Sequence, residues 1–186
     1  MKTPSPIAKT KGVPKRQQRG FEKEDWAQPF LGEDNLWNRR DVPHFGWTCE
    51  GIVDLGGPYG VCRMCGHQII RYVHIMKHPN YWRRIGAGCV CAGRMQEDIA
   101  KAREREKTFK AWQARKESFI KKYTQMITLH QMKIVPIMQN NISLEIVILD
   151  KGYCYRAKGR QSITYRTLED ALIAAYNILD PWLMNK

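Results

Sequence analysis

The sequence predicts an α+β chain in which a cysteine-rich module, a long helix and a small sheet with one further helix follow each other. Four cysteines lie within residues 61–95, and residues 92–128 carry apolar side chains at intervals of three and four. Residues 142–186 alternate apolar and polar side chains before a second helical pattern. We therefore divide the chain into the segments 1–30, 31–95, 92–128, 129–141 and 142–186.

The first segment, 1–30, is rich in Pro, Lys, Arg and Gln and shows no hydrophobic periodicity. Such a composition buries too little apolar surface to offset the entropy of ordering, so we predict a disordered basic arm. The segment lacks the apolar run of a secretory signal, and no later run is apolar enough to span a membrane. We expect a cytoplasmic protein without a membrane partner.

The segment 31–95 is interrupted early by Gly, Pro and Asn, which favours loops and short strands. We predict one strand near Thr48 to Val53 and another within the run HQIIRYVHIM. Between them lies Cys62-Arg63-Met64-Cys65-Gly66, which follows a turn rich in Gly and Pro. Two thiols at this spacing before a Gly are typical of a zinc knuckle, whose turn directs both thiolates at one ion.

The second half of the predicted metal site is Cys89-Val90-Cys91, at the start of a helix whose free N–H groups and dipole stabilise thiolates. A knuckle, a strand and a ligand on a helix N-terminus follow each other in treble-clef-like zinc fingers. We predict structural zinc, and we rank Cys62, Cys65 and Cys91 first among its ligands. The candidates for the fourth place are Cys89, Cys49, His74 and His67.

Other uses of these cysteines stay open at this point, namely an iron–sulfur cluster, a redox pair or packing. A redox pair favours a strand–CxxC–helix order, whereas this CxxC precedes a strand, and disulfides are disfavoured in reducing compartments. Four protein ligands would close the coordination sphere of the ion. If one were missing the ion could be catalytic, and His74 and His78 would then matter. We expect Cys154, which stands alone in the C-terminal sheet, to take no part in the metal site.

The segment 92–128 contains no Pro, and it contains Gly only at its start. Its apolar residues recur at helical spacing, and three Glu–Lys pairs are spaced i,i+4 in the favourable order. We predict one continuous amphipathic helix with a basic outer face. Pro136 and an Asn pair mark the segment 129–141 as a linker.

The segment 142–186 predicts a three-stranded antiparallel sheet, with strands at 143–149, 153–157 and 162–166, followed by one helix. Thr167 would cap this helix, Asp170 would take the reciprocal capping position, and Pro181 would end it. Alternation places tyrosines on the face toward the helix and basic residues on the other face. The sheet would therefore present a basic open face.

Two resemblances add to these patterns. The runs WTCEGIVDLGGPYGVCRMCGHQIIRYVHIMKHPNY and GCVCAGRM resemble a family of small bacterial proteins, several of them on mobile elements, that share CxMCGH, IRYVHxMxHP and GCVCAGxM. This resemblance implies a treble-clef-like zinc fold and a place for Cys49 in the motif. The run GYCYRAKGRQSITYRTLEDALIAAYNIL is similar to the DNA-binding domains that precede phage integrase catalytic domains. That second resemblance implies DNA contacts by Arg156, Lys158, Arg160 and Arg166.

The charge of the chain points to its partner. With 31 Lys and Arg against 18 Asp and Glu, the formal net charge is +13, which favours nucleic acid over an acidic protein or a membrane surface. Tyr81 and Trp82 lie beside two arginines and could stack on unpaired bases, or pack around the metal instead. The remaining candidate contact residues are Arg83, Arg84, Lys101, Arg105, Arg115, Lys116, Lys121 and Lys122.

These observations predict a non-enzymatic, zinc-containing nucleic-acid-binding accessory protein, DNA or RNA, of a mobile-element or defence-related system. The alternative is an adaptor or inhibitor that binds a protein partner in a nucleoprotein complex through the apolar stripe of the long helix. A metal-dependent nuclease fits less well, because it needs an open coordination site, a general base and further carboxylates. No HxE, DxD or HNH-like run lies near the cysteines.

Overall fold

The computed structural model describes residues 35–182; the predicted arm, 1–30, lies outside them. The chain is α+β, as predicted. After a 3-10 turn at Leu36–Asn38, the first half contains the strands β1 Thr48–Asp54, β2 Gly60–Val61, β3 Ile69–Ile70, β4 Tyr72–His78 and β5 Tyr81–Ala87. The helices α1 Cys89–Met95 and α2 Ile99–His130 follow. The remaining elements are β6 Ile134–Gln139, β7 Ile142–Leu149, β8 Gly152–Ala157, β9 Arg160–Gln161 and α3 Leu168–Leu179.

The first half is built on a three-stranded antiparallel sheet in the order β1-β4-β5. The predicted strand near Thr48 is β1, and the run HQIIRYVHIM supplies both β3 and the central strand β4. The strands β2 and β3 form a separate hairpin, in which Val61 pairs with Ile69, and this hairpin carries the CxxC turn at its end. The sheet and the turn share one buried apolar core with α1.

The helix that the sequence predicts as continuous is interrupted between α1 and α2. Glu97 has a positive φ of 61°, and Asp98 caps α2 by accepting a hydrogen bond from the backbone N–H of Lys101 at 2.8 Å. The two helices approach closely at Gly93, where a Cβ atom would lie 2.6 Å from the Cα of Ile99. The apolar residues keep their helical spacing across this break, so the sequence pattern does not reveal it. The chain nevertheless starts a new helix here, because Asp98 caps the N-terminus of α2.

The C-terminal sheet has four antiparallel strands, in the order β6-β7-β8-β9, where three were predicted. The extra strand, β6, lies within the predicted linker 129–141. Pro136 fits there because an edge strand has one side without ladder partners, so its missing N–H breaks no hydrogen bond. The predicted strand 162–166 is reduced to an isolated bridge between Tyr153 and Tyr165.

The helix α3 begins where the sequence predicts. The side chain of Thr167 accepts a hydrogen bond from the backbone N–H of Asp170 at 3.1 Å, and the helix ends at Leu179, before Pro181. In the described residues, no helix is both long and apolar enough to cross a membrane.

The apolar stripe of α2 packs inside the chain. Phe109, Trp112, Phe119 and Ile127 are buried in one core with α3, the C-terminal sheet and Ile52 of β1. The contact with α3 ends in a polar junction at Asp180. There Trp112 Nε1 donates to the backbone oxygen at 2.7 Å, and Arg115 pairs with the carboxylate at 3.1 Å. The helix α2 therefore joins the two halves of the molecule.

We expect Gly93→Ala to lower the free energy of unfolding by about 1–3 kcal/mol, as overpacking does elsewhere. The added Cβ would meet backbone of Ile99, which cannot move aside like a flexible side chain, so the clash outweighs the better helix propensity of Ala. Urea unfolding followed by circular dichroism measures the change. Ala111→Ser, at an exposed site of α2, should stay within about 0.5 kcal/mol of the parent. An unchanged Gly93→Ala variant would contradict the close approach.

Candidate metal centre

Three cysteines from two elements form the first cluster, the three-cysteine site. Cys62 and Cys65 come from the turn between β2 and β3, and Cys91 comes from α1. All three are buried, and their Sγ atoms lie within 4.8 Å of one another. Three cysteines placed in this way could hold a metal ion.

The turn is built for this convergence. The backbone N–H of Gly66 donates to the carbonyl of Cys62 at 2.8 Å. Gly66 has a positive φ of 75°, a backbone conformation that residues other than Gly rarely adopt. The N–H of Arg63 donates to the carbonyl of Gly86 at 2.9 Å and thereby ties the turn to β5. Both thiols of the turn consequently face the start of α1.

The electrostatics favour a thiolate at Cys62. Its pKa is lowered to about 5, because it accepts a hydrogen bond from the thiol of Cys91 and further ones from backbone N–H groups, which together outweigh its burial. One of these donors is Gly88, directly before the N-terminus of α1. The pKa of Cys91 is raised, since its thiol donates to Cys62 and is itself buried. Without a metal, this pair therefore keeps one proton.

Cys89 does not join this cluster. Residues two apart on a helix point about 200° away from each other, so the thiols of Cys89 and Cys91 face opposite sides of α1. The thiol of Cys89 lies with His74 and Glu106, and one ligand atom from each lies within 4.8 Å of the others. We call these three residues the mixed site.

His74, on the central strand β4, is the focus of the mixed site and is fully buried. Its Nε2 lies 3.1 Å from Glu106 Oε2, and its Nδ1 lies 4.0 Å from the Sγ of Cys49. Burial lowers the pKa of His74, but its hydrogen bonds to Cys49, Cys89 and Glu106 outweigh burial and raise the pKa to about 10. Burial raises the pKa of Glu106, but bonds to His74 and Lys110 outweigh it and lower the pKa to about 2.

The five predicted cysteine ligands are thus distributed over two places. Cys62, Cys65 and Cys91 meet at the three-cysteine site, whereas Cys89 and Cys49 both lie close to His74. His67 is exposed, with Nδ1 2.9 Å from the carbonyl oxygen of Cys65. His78 packs against Trp47, and Cys154 is buried in β8, far along the chain from both clusters.

Sequence reasoning missed Glu106. It lies on α2, 32 residues after His74, in an i,i+4 pair with Lys110 whose Nζ donates to Glu106 Oε1 at 2.6 Å. The pair alone looks like ordinary helix stabilisation. Only the passage of α2 across β4 gives the carboxylate a second partner.

Several candidate nucleic-acid contacts are engaged within the chain. Arg84 pairs with Glu50 and Arg115 with Asp180. Arg105 donates to Gln96 at 3.0 Å, and the Nζ of Lys116 lies 4.6 Å from the ring centroid of Trp112. The other candidates are exposed: Arg83, Lys101, Lys121, Lys122, Arg156, Lys158, Arg160 and Arg166.

The most prominent of the exposed groups is an aromatic–cation pair on β5. Trp82 is 80% exposed, and the guanidinium of Arg83 lies 3.9 Å from the centroid of its ring. The neighbouring Tyr81 packs against Trp47 and belongs to the core around the cysteines.

Comparisons of the chain with protein-family models, with curated proteins and with solved structures found no match.

We expect the metal-free protein to lose one thiolate as the pH falls through about 5. The folded pKa of Cys62 lies below the unfolded value of about 8.5, so its stabilisation is complete above the unfolded pKa and vanishes below the folded one. Ultraviolet thiolate absorbance and urea unfolding, measured across this range, follow the two effects. Cys154→Ala should keep the step, whereas a step that persists in Cys62→Ala would contradict the assignment.

Proposed function

We propose that this chain is a zinc-containing nucleic-acid-binding protein without an enzymatic role. The observation that carries the metal half is the convergence of Cys62, Cys65 and Cys91 at the start of α1. Thiolates from a knuckle and a helix N-terminus match the ligand preference of zinc. An iron–sulfur cluster fits less well, because it takes four sulfur ligands and the other described cysteines lie elsewhere. Zinc would hold the β2–β3 turn to α1 as a structural ion, with Cys62, Cys65 and Cys91 as three of its ligands.

The order of elements supports a treble-clef-like module. A hairpin with a CxxC turn, the hairpin β4–β5 and the helix α1 with a cysteine in its first turn follow each other. The resemblance of the motifs CxMCGH and GCVCAGxM to those of bacterial proteins on mobile elements is our ground for proposing a role in a mobile-element or defence-related system.

The exposed Trp82–Arg83 pair supports the nucleic-acid half of the proposal. An exposed indole beside a guanidinium offers a stacking platform for a base and a cation for its phosphate. The solvent face of α2 adds Arg103, Lys107, Lys121 and Lys122, all exposed, against the exposed carboxylates Glu104 and Glu117. Such a combination favours single-stranded nucleic acid with little sequence preference.

A second candidate function is an adaptor that binds a protein. The apolar stripe of α2 is buried within the chain and is not available to a partner. The observation that favours an adaptor is instead the exposed apolar surface of the β2–β3 hairpin. There Tyr59, Val61 and Ile69 are 80%, 48% and 67% exposed, and Val61 pairs with Ile69.

We expect Cys65→Ser to remove one equivalent of bound zinc from the purified full-length chain, because two sulfur ligands hold zinc far less firmly than three. Elemental analysis before and after dialysis against a chelator measures the loss. Cys154→Ala is the matched control, since its thiol lies in the C-terminal sheet. A zinc content of Cys65→Ser equal to that of the parent chain would contradict a zinc ion at the three-cysteine site.

We expect Trp82→Ala to weaken binding of single-stranded DNA or RNA by about 1–3 kcal/mol, the value of one stacked base. Replacing Lys121 and Lys122 by Glu should weaken binding further and flatten the dependence of log affinity on log salt, because fewer counterions are released. Fluorescence anisotropy at several salt concentrations measures both effects. Leu129→Ala, at a 67% exposed apolar site of α2, is the control. An affinity for nucleic acid that changes neither with salt concentration nor in Trp82→Ala would favour the adaptor.

A further inference from the structure

The two thiols of the CxC sequence in α1 belong to two different clusters, and the second cluster is also suited to a metal ion. Cys91 lies with Cys62 and Cys65, whereas Cys89 lies with His74 and Glu106. We propose that Cys89 Sγ, His74 Nε2 and the carboxylate of Glu106 bind a second divalent ion of the zinc class. This proposal is independent of nucleic-acid binding.

The distances in the mixed site suit such an ion. Ligand bonds of about 2.0–2.3 Å in a tetrahedral sphere put neighbouring ligand atoms about 3.3–3.8 Å apart. His74 Nε2 and Glu106 Oε2 are 3.1 Å apart, and Cys89 Sγ completes a trio within 4.8 Å. Shifts of side-chain torsions alone could therefore bring the three ligand atoms to these distances, without movement of β4 or α2.

The donor set selects the class of ion. A thiolate, an imidazole and a carboxylate are the three ligand types that zinc combines in proteins. Magnesium and calcium favour oxygen ligands alone, so this site would reject them.

The surroundings hold two of these ligands in place. Glu106 Oε1 accepts from Lys110 Nζ at 2.6 Å, which leaves Oε2 toward the imidazole. On the other ring nitrogen, Nδ1 lies 4.0 Å from Cys49 Sγ, and that sulfur contacts the carbonyl oxygen of Gly51 at 3.3 Å. Metal-binding histidines are commonly oriented through their second nitrogen in this way. Cys49 is thus a positioning residue for the second ion.

The burial of His74 supports the same assignment. His74 lies on the central strand of the sheet, and within residues 35–182 it is the one polar or charged residue that is buried. A buried imidazole between a carboxylate and two sulfurs costs stability unless these groups share a proton or a cation. A second ion would tie β4, α1 and α2 together, whereas the first ties the β2–β3 turn to α1.

Cobalt titration of the metal-free full-length protein tests the proposal. We expect two equivalents of Co²⁺ to bind, one with the strong charge-transfer absorption of three thiolates and one with the weaker absorption of a single thiolate. Glu106→Gln and Cys89→Ser should lose the second equivalent and keep the first, whereas Cys65→Ser should do the reverse. Glu104→Gln, an exposed carboxylate on the same helix, should bind both.

Cys49→Ser should retain the second site but weaken it about 10–100-fold, as loss of an outer partner of a metal-binding histidine does. A single equivalent with the absorption of three thiolates would overturn the proposal of a second ion and leave the three-cysteine site standing. Two equivalents that Cys89→Ser and Glu106→Gln both leave unchanged would overturn it as well. Anomalous X-ray scattering from zinc in crystals of the parent chain gives a check that needs no variant, since it should show two peaks.

Discussion

The start of α1 is the constraint on which the rest of the first half depends. This helix is only seven residues long, which is too short to be stable in isolation. Its first turn is held on two sides, by the CxxC turn next to Cys91 and by His74 of β4 next to Cys89. The close approach of Gly93 to Ile99 then fixes the direction in which α2 leaves. The position of the long helix therefore follows from groups packed around a single helical turn.

The long helix carries this order into the second half. Its aromatic residues are buried against α3, where Trp112 and Tyr176 have ring centroids 6.0 Å apart and Phe119 and Tyr176 5.0 Å. Near its start, Tyr72 of β4 packs edge-on against Phe109 at 6.2 Å. One face of α2 is thus shared core for both sheets, and close-packed interiors of this kind transmit strain between the elements that they join.

The same packing sorts the positive charges of the chain into two groups. Arg84 and Arg115 neutralise carboxylates at junctions between elements, and Lys116 covers the ring of Trp112. The cations on the outer side of α2 and Arg83 face solvent instead. A high net charge therefore does not make every basic side chain a candidate contact for nucleic acid, because some of these side chains already interact with carboxylates or aromatic rings of the chain itself.

The features that the amino-acid sequence predicts correctly are local ones. The CxxC-Gly turn, the Thr167 cap with Asp170, the end of α3 before Pro181 and the strand near Thr48 each depend on residues a few positions apart, so their patterns predict them. The break at Glu97 and the separation of Cys89 from Cys91 also have local causes, namely the cap at Asp98 and the spacing of two residues on a helix, which the predictions overlooked. Tertiary packing, in contrast, placed the strand β6 where a linker was predicted. It also brought Glu106 to His74, 32 residues away. Chain positions so far apart meet only through the packing of α2 on the sheet, and no local spacing encodes that contact.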